Sequence, residues 1–374
     1  MNFEEWAAKR LLAERGIAVP GGRVARTPQE ASSASQGSCV VKAQIPAGAR
    51  GKSGGVRFAN GPDEAALAAE SILGTEIAGF KVEKVLVEER VVVERELYAA
   101  VLTDRKSRGP AVLFSPFGGI DIEETAASDD GAIRSVSVDI LRGFDCNDAE
   151  SLLGGLEQGE LKAKIGAFLE SLYSAYRDLD ADLLEINPLA VAADGEIVAL
   201  DCKFALDDSA SARRPDLASQ AARENSTVLE TEAANAGLRL IELGGSVGVL
   251  ANGAGLTMAT MDSIAHFGGR PANFLEIGGD SYTKAELALR TILKIPNVKC
   301  LLVNFCGAFA RTDVMARGVV TAWKTLQPPI PAFFSVHGTG EDEAIQLISD
   351  ELGFSPYESM DEAVKDAVAA AAQR

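Results

Sequence analysis

The chain changes its pattern of apolar segments near residue 235. Before that position, short β-rich segments follow one another with few helices between them, which predicts an α+β domain with antiparallel sheet. After a polar stretch at 207–235, apolar strands alternate strictly with helices. This alternation predicts a flavodoxin-like parallel sheet, whose ligands lie outside the carboxyl ends of the strands. We therefore predict two domains, residues 1–235 and residues 236–374, in a fold that combines the α+β and α/β classes.

Apolar periodicity and turn signals place the individual elements. In the first domain, Asn2 and Glu5 would open an N-terminal helix with a capping box, and further helices are expected at 63–73 and 161–177. The predicted strands of this domain are 39–43, 82–89, 96–103, 111–117, 182–185 and 197–201. The second domain has predicted strands at 248–251, 273–277, 300–305 and 331–335, a helix starting near Thr257 and a final helix from Asp361.

Composition argues against several classes of protein. Lys and Arg number 36 against 54 Asp and Glu, a net charge of −18, and such a surface repels nucleic acid and anionic membranes. The five cysteines are scattered without CxxC spacing, which argues against a disulfide framework and a zinc site. The N-terminus lacks the apolar region of a signal peptide, and no apolar run approaches the roughly 18 residues of a membrane span. We expect a cytoplasmic protein of bacterial type.

Lys42 lies near the end of an apolar strand and precedes a loop of small residues that holds two further cations, Arg50 and Lys52. The loop is not a Walker A motif, because Pro46 stands where that motif needs a glycine. Cations and backbone amides in such a loop suit a polyphosphate. A solvated basic turn is the alternative interpretation.

Acidic side chains stand on two later strands. Glu88 lies near the end of strand 82–89, and Glu96 begins strand 96–103. Carboxylates at strand ends can bind the ribose or the amino group of a nucleoside. Alternating charge on a half-exposed strand is an equally good explanation.

The segment 185–189, which reads Glu-Ile-Asn-Pro-Leu, and the later Asp201 point to a metal site. A turn at 193–196 would join two strands into a hairpin, so Asn187 and Asp201 would lie at the same end of the sheet. An acid that follows four apolar residues needs an explanation, because buried acids are rare unless they are paired or bind metal. Magnesium takes one or two such protein oxygens and completes its shell with phosphates and water.

Two strand-to-helix turns in the second domain are rich in small residues. Asn252 opens the first turn, and residues 304–311 form the second. Amides at a helix N-terminus attract phosphate or carboxylate, although tight turns also need glycine for geometry alone. His266, expected in a helix, and His337, expected in a loop, have no spacing that suggests metal binding or a catalytic triad.

Taken together and in this order, these segments resemble the β subunit of the succinyl-CoA synthetases (succinate–CoA ligases), which are acid–thiol ligases. The Glu-Ile-Asn-Pro-Leu segment and Asn252-Gly253-Ala254-Gly255 are the specific matches, and the similarity covers nearly the whole chain. The resemblance implies an N-terminal ATP-grasp domain followed by a flavodoxin-like acid–CoA ligase domain. It also implies the reaction, in which an acid, ATP or GTP, and CoA give acyl-CoA, nucleoside diphosphate and phosphate through an acyl-phosphate.

The resemblance further implies roles for individual residues. A partner α subunit is expected to bring the phosphohistidine and the CoA site, and Glu185 would lie where that phosphohistidine visits this chain. Mg²⁺ would bind Asn187 and Asp201. The nucleotide would bind Lys42, Ala49, Arg50, Gly51, Glu88, Val91 and Glu96, and the acid would bind Asn252, Ala308, Phe309 and Ala310.

Two loops depart from the family pattern. Pro46-Ala47-Gly48-Ala49-Arg50-Gly51 replaces His-Ala-Gly-Gly-Arg-Gly, and Cys306-Gly307-Ala308-Phe309 replaces Phe-Gly-Gly-Ile. The second change leaves the acid open among succinate, malate and a sulfonated acid such as sulfoacetate. Two other functions also stay open, namely another ATP-grasp carboxylate ligase and a nucleotide-binding regulatory subunit.

Overall fold

The computed structural model describes residues 1–48, 50–119, 131–222, 226–277 and 284–373. They form two compact units, Met1–Asn225 and Ser226–Arg374. The division lies inside the polar stretch 207–235, and the helix Val228–Asn235 belongs to the second unit. None of the helices in these ranges combines the length and the apolar character that a membrane crossing needs.

The first unit consists of antiparallel sheets and helices. The described elements in chain order are α1 Glu5–Ala13, β1 Gly22–Ala25, α2 Pro28–Ala34, β2 Cys39–Ala43, β3 Val56–Ala59, α3 Pro62–Ile72, β4 Glu76–Ile77, β5 Phe80–Lys81, β6 Val85–Glu89, β7 Val93–Asp104, β8 Gly109–Ser115, β9 Arg134–Ser137, α4 Cys146–Leu152, α5 Glu160–Asp178, β10 Ala181–Ala192, β11 Ile197–Ala199, β12 Lys203–Leu206 and α6 Pro215–Ala218. One sheet has the strand order β1-β6-β2-β3, a second has the order β11-β10-β7-β8-β9 with β12 also paired to β10, and β4 pairs with β5.

Helical spacing of apolar residues explains how the helices cover these sheets. On α3, Ala65 and Ala69 are one turn apart and share a core with Val41 of β2. On α5, Leu169 lies in the same core as Leu184 of β10. Apolar residues at intervals of three and four form one stripe on a helix, and burying that stripe stabilises the unit by about 25 cal/mol for each Å² removed from water.

The second unit contains the predicted parallel sheet. Strands β14, β16 and β17 are parallel in the order β14-β16-β17, and isolated parallel bridges from Val247 to Pro271 and from Ala251 to Glu276 hold the β15 segment beside β14. The described elements are α7 Val228–Asn235, β13 Leu240–Glu242, β14 Val247–Ala251, α8 Ala254–His266, β15 Asn273–Leu275, α9 Ala285–Leu293, β16 Cys300–Gly307, α10 Thr312–Leu326, β17 Ala332–Gly338, α11 Glu341–Leu352 and α12 Met360–Gln373.

Three local predictions were wrong. No capping box forms at Asn2, which instead makes a β-bridge to Ala205, and α1 begins only at Glu5. Helix α8 starts at Ala254 rather than near Thr257, whose hydroxyl donates to the carbonyl of Gly253 at 3.0 Å inside the first turn. His337 lies on β17 and not in a loop. In the first case a long-range backbone pairing outweighed the local capping pattern.

Candidate functional site

A cleft of about 470 Å³ in the first unit gathers the nucleotide and metal residues that the sequence predicted. Ala49 is outside the described residues, and Glu185 is half-buried on β10, two positions before Asn187, and is not among the residues that line the cleft. The predicted residues that line it are Lys42, Arg50, Gly51, Glu88, Val91, Glu96, Asn187 and Asp201.

Strand pairing accounts for this convergence. Lys42 on β2 lies opposite Leu86 of β6, next to the cleft. The predicted hairpin is present, because Leu189 of β10 pairs with Ala199 of β11 and the amide of Leu200 donates to the carbonyl of Pro188 at 3.2 Å. Continuing this antiparallel register brings Asn187 and Asp201 opposite each other, at the end of the hairpin away from its turn.

The cleft combines apolar and cationic side chains. Val56, Phe58 and Val93 line it together with Lys42 and Arg50. Phe58 is 67% exposed, and the guanidinium carbon of Arg90 lies 5.2 Å from the centre of its ring. Apolar surface for a base and cations for phosphates are the two features that a nucleoside polyphosphate requires.

Two lysines in this region share the same three acceptors. Lys42 Nζ donates to Glu5 Oε1 at 2.9 Å, lies 2.8 Å from Glu88 Oε2 and donates to the carbonyl of Leu200. Lys9 Nζ lies 2.8 Å from Glu5 Oε1 and donates to Glu88 Oε1 at 2.6 Å and to the Leu200 carbonyl at 2.6 Å. Glu5 and Glu88 are 2% and 3% exposed, so both carboxylates depend on these lysines for neutralisation.

Arg50 extends this arrangement to the predicted metal ligand. Its Nη1 donates to Glu5 Oε2 at 2.6 Å and to the carbonyl of Ala43 at 3.2 Å, and its Nη2 donates to Asp201 Oδ1. Cations and carboxylates are therefore equal in number. We call the set the buried charge network, and its members are Glu5, Lys9, Lys42, Arg50, Glu88 and Asp201.

Glu5 and Lys42 keep their charges at ordinary pH. Burial alone would raise the pKa of Glu5, but the charges of Arg50, Lys42 and Lys9 hold that pKa well below its ordinary value. Burial disfavours the charged form of Lys42, yet the neighbouring carboxylates, Glu5 foremost, raise its pKa above the ordinary value. Burial, followed by the charge of Asp201, raises the pKa of the Cys202 thiol, so that thiol stays protonated.

Sequence reasoning missed Glu5 and Lys9. They are one helical turn apart, a spacing that is typical of a surface ion pair. A signal was nevertheless present, because Glu5, Ala8, Lys9 and Leu12 occupy one helical stripe and all four are buried. Charged residues on the apolar stripe of a helix indicate buried partners.

Asn187 and Asp201 offer oxygen atoms that suit a hard cation. Asn187 Oδ1 accepts from the Gly119 amide at 2.7 Å, and Asp201 Oδ1 accepts from Arg50 and from the Cys202 amide at 2.7 Å. The Asp201 side chain is 35% exposed. Within the described ranges no group of three or more His, Cys, Asp or Glu side chains is placed to hold a metal. A cation here would therefore take few ligands from the protein, as Mg²⁺ does beside phosphates.

The second unit brings the predicted acid-binding residues to one edge of its parallel sheet. Ala251 of β14 is in register with Asn304 of β16, so Asn252 lies beside the last residues of β16, just before the loop that follows that strand. Asn252 Nδ2 donates to the Cys306 carbonyl at 2.9 Å, and the Cys306 amide donates to Asn252 Oδ1 at 2.8 Å. Gly253 has φ +86°, a conformation that favours glycine before α8.

The loop that contains Ala308, Phe309 and Ala310 presents its aromatic side chain to solvent. Phe309 is fully exposed, so its ring does not pack beneath the loop. The carbonyl of Ala308 accepts from Thr339 Oγ1 at 2.9 Å. Contacts on the backbone hold the loop, and the side chains at 308 and 309 stay exposed.

The two histidines have ordinary surroundings. His337 Nε2 lies 3.2 Å from Ser335 Oγ, and its Nδ1 lies 3.4 Å from Glu341 Oε1. His266 is the last residue of α8, and its ring contacts Phe267 edge-on at 5.0 Å.

The chain matches two family models and a set of named relatives. An ATP-grasp domain matches residues 2–191, and a CoA-ligase domain matches residues 250–370. An ADP-forming succinate–CoA ligase subunit beta of Roseiflexus sp. (strain RS-1) is 42% identical over 100% of both chains. A GDP-forming succinate–CoA ligase subunit beta of Thermus thermophilus is 42% identical over 99% of this chain and 98% of the relative. ATP citrate lyase from Methanothrix soehngenii has the same fold, with a TM-score of 0.77, 24% identity, and 98% and 99% of the two chains covered.

We expect Glu5→Gln to lower the free energy of unfolding of the first unit by about 3–5 kcal/mol at pH 7, because Lys9, Lys42 and Arg50 lose a shared buried carboxylate. A carboxyl group whose pKa is lowered by folding stabilises the protein above its unfolded-state pKa, and that contribution is lost as the pH falls through the folded-state value. The difference between wild type and variant should thus be constant above about pH 5 and should shrink below about pH 4.3.

Urea unfolding between pH 7 and pH 3 measures this difference. The control is Glu14→Gln, which removes an exposed carboxylate just after α1 and should change the free energy of unfolding by less than about 0.5 kcal/mol. A Glu5→Gln effect that stays constant down to pH 3 would contradict the role of its charge.

Proposed function

The chain belongs to the family of succinate–CoA ligase β subunits, which are acid–thiol ligases, and we propose that it joins a small acid to CoA at the expense of ATP or GTP. The observation that carries this proposal is the cleft in which Lys42, Arg50, Asn187 and Asp201 converge. Relatives of equal identity are named for ADP and for GDP formation, so the proposal includes either nucleotide.

The phosphates of the nucleotide are proposed to bind at Lys42, Arg50 and the backbone of the loop around Ala49 and Gly51. Both side chains remain cationic at any physiological pH, because neighbouring carboxylates raise the pKa of each above its ordinary value against the effect of burial. Their positive charge is therefore available to a phosphate without any change of protonation state.

The nucleoside is proposed to contact Val91 and Glu96, with Glu88 beside them. Glu96 is exposed and lines the cleft, so its carboxylate can accept from hydroxyl or amino groups. Glu88 differs, because both of its oxygens already accept from lysine ammonium groups. We infer that Glu88 acts mainly by holding these lysines in place.

Mg²⁺ is proposed to bind Asn187 and Asp201. When bound, the cation would neutralise negative charge on the nucleotide phosphates, as in other phosphoryl-transfer enzymes. Asp201 Oδ1 is held by Arg50 and by the Cys202 amide, so the hydrogen bonds of this chain fix the direction in which the carboxylate presents its remaining lone pairs.

A partner α subunit is proposed to supply a phosphohistidine and the CoA site. In this sequence of steps the γ-phosphoryl group passes from the nucleotide to a histidine nitrogen, then to the carboxylate oxygen of the acid. The CoA thiolate attacks the acyl carbon of the resulting acyl-phosphate, and phosphate leaves. His337 is held between Ser335 and Glu341, and His266 ends α8 against the ring of Phe267. Glu185, two positions from Asn187, is proposed to meet the visiting histidine.

The acid is proposed to bind at Asn252 and the loop Ala308, Phe309 and Ala310, with a preference shifted away from plain succinate. A second glycine in the family pattern is replaced by Ala308, and Phe309 adds an exposed ring. These side chains would reshape the pocket around the end of the acid remote from the reacting carboxylate. Malate or a sulfonated acid such as sulfoacetate is the proposed preference.

We expect the full chain by itself to bind nucleotide and to form no acyl-CoA. Turnover should begin when a co-expressed α-type subunit is added, because this chain has no histidine suited to the relay. Coupled assay of CoA consumption measures this outcome. Stable labelling of the isolated chain from γ-labelled ATP, lost on mutation of His266 or His337, would overturn the proposal.

We expect Asp201→Ala to abolish Mg²⁺-nucleotide turnover of the assembled enzyme while the fold persists, because a partly exposed ligand at a strand end is removed without a core cavity. The control is Asp182→Ala, an exposed acid on β10, which should keep activity. Binding of Mg²⁺-free ATP, measured by calorimetry, should survive in the Asp201→Ala variant. Near-normal turnover of this variant at saturating Mg²⁺ would contradict the assignment of Asp201 as a Mg²⁺ ligand.

We expect malate or sulfoacetate to exceed succinate in kcat/KM. The double substitution Ala308→Gly/Phe309→Ile, which restores the family pattern, should move the preference toward succinate by about tenfold, equal to about 1.4 kcal/mol of transition-state binding. Val314→Ala, an exposed apolar residue on α10, is the control. Succinate preferred tenfold by the wild-type enzyme would show that Ala308 and Phe309 do not select the acid.

A further inference from the structure

Lys9 contacts the same three groups as Lys42 through hydrogen bonds and ion pairs, but it does not line the cleft. Both ammonium groups contact Glu5 Oε1, the carboxylate of Glu88 and the Leu200 carbonyl, at distances of 2.6 to 2.8 Å for Lys9. Lys9 is 4% exposed, and among the described residues that line the cleft Lys42 is included while Lys9 is not. Lys9 and Lys42 thus contact the same acceptors, and of these two lysines only Lys42 lines the cleft.

This duplication matters when a phosphate arrives. An ammonium group has three N–H donors, and that of Lys42 donates to Glu5 and to the Leu200 carbonyl and forms an ion pair with Glu88 at 2.8 Å. Lys42 must therefore release at least one acceptor before it can bind a phosphate oxygen. A buried carboxylate that loses its cation without a replacement is strongly disfavoured, so the release depends on which cation stays behind.

We propose that Lys9 is a positioning residue of the nucleotide site, which acts through Lys42 by neutralising Glu5 and Glu88 when Lys42 turns to the phosphates. The inference rests on the proposed function, because that function brings a nucleotide polyphosphate into the cleft. Arg50 already binds the second oxygen of Glu5 at 2.6 Å, so Glu88 is the carboxylate that depends most on Lys9.

Removing the charge of Lys9 and removing the charge of Glu5 should have opposite effects on phosphate binding. Without Lys9, Lys42 becomes the only lysine on Glu88, and the carboxylates hold it away from the phosphates. Without the charge of Glu5, both Lys42 and Arg50 lose an acceptor that competes with the phosphates. Removing both charges together leaves Lys42 and Arg50 against Glu88 and Asp201, again equal in number.

Calorimetric titration of the full chain with ATP, in the presence and absence of Mg²⁺, tests this inference. We expect Lys9→Met to weaken ATP binding about tenfold, Glu5→Gln to leave it unchanged or tighter, and the double variant to recover most of the loss. Adenosine has no phosphate, so its weak binding, followed by NMR, should be the same in wild type and Lys9→Met. A distorted pocket would weaken adenosine as well.

The matched control is Lys84→Met, which removes an equal charge from a lysine paired with Glu4 at 2.6 Å and outside the buried charge network. An equal loss of ATP affinity in Lys84→Met and Lys9→Met would overturn the inference, since it would indicate only a general decrease in positive potential. So would unchanged ATP binding in Lys9→Met, or a parallel loss of adenosine binding.

The titration of the wild-type chain distinguishes failure of the proposed function from failure of the role proposed for Lys9. If the wild-type chain binds neither ATP nor GTP, the proposed function fails. If it binds nucleotide and Lys9→Met binds equally well, only the role of Lys9 fails. Should Lys9→Met lack a cooperative unfolding transition, Lys9→Gln replaces it, because the amide keeps a hydrogen-bond donor without the charge, and the same results are expected.

Discussion

The structure of the first unit depends on the pairing of six buried or half-buried charges. Charged side chains are costly to bury unless each has an opposite partner, and removing one partner leaves the other uncompensated. Glu5, Lys42, Arg50, Glu88 and Asp201 come from α1, β2, the loop after it, β6 and the end of the β10–β11 hairpin. Each of these elements is therefore fixed relative to the others by the charges that it must neutralise. The N-terminal helix therefore supports the cleft through Glu5 and Lys9 without lining it.

The same charge pairing explains how a chain with a large negative net charge could bind an anionic ligand. The net charge of −18 argues against nucleic acid at long range, but it does not describe the cleft, where cations and carboxylates of the network are equal in number. Under the proposed function, a phosphate that enters would compete with Glu5 and Asp201 for Lys42 and Arg50. Its affinity would then depend on how easily those carboxylates find other partners, which would make residues outside the cleft relevant to binding.

The sequence predicted correctly those elements whose structure is determined by local residue patterns. The strand at Cys39–Ala43 and the parallel sheet follow from local apolar spacing, the hairpin follows from the turn residues at 193–196, and the structure contains all three. The start of α1 could not be predicted in this way, because Asn2 pairs with Ala205, a partner that is distant in the sequence. Glu5 and Lys9 were missed for a related reason. An i,i+4 ion pair has the same spacing on a surface helix and in a core. The apolar residues on its stripe indicate burial, but the partners that the pair meets come from other elements and are not visible in the local sequence.

In the second unit, Gly307 and Gly338 fix the backbone of the proposed acid-binding loop, whereas the side chains of that loop can vary. A side chain at Gly307 would come within 2.4 Å of the Ala310 carbonyl, and one at Gly338 would come within 2.1 Å of the Gly307 carbonyl. These two residues are paired between β16 and β17, so the backbone path of the loop is set by close packing at its base. Variation in the loop is thereby confined to side chains, so under the proposed function a different acid would be accommodated by changing Ala308 and Phe309 rather than by moving the loop backbone.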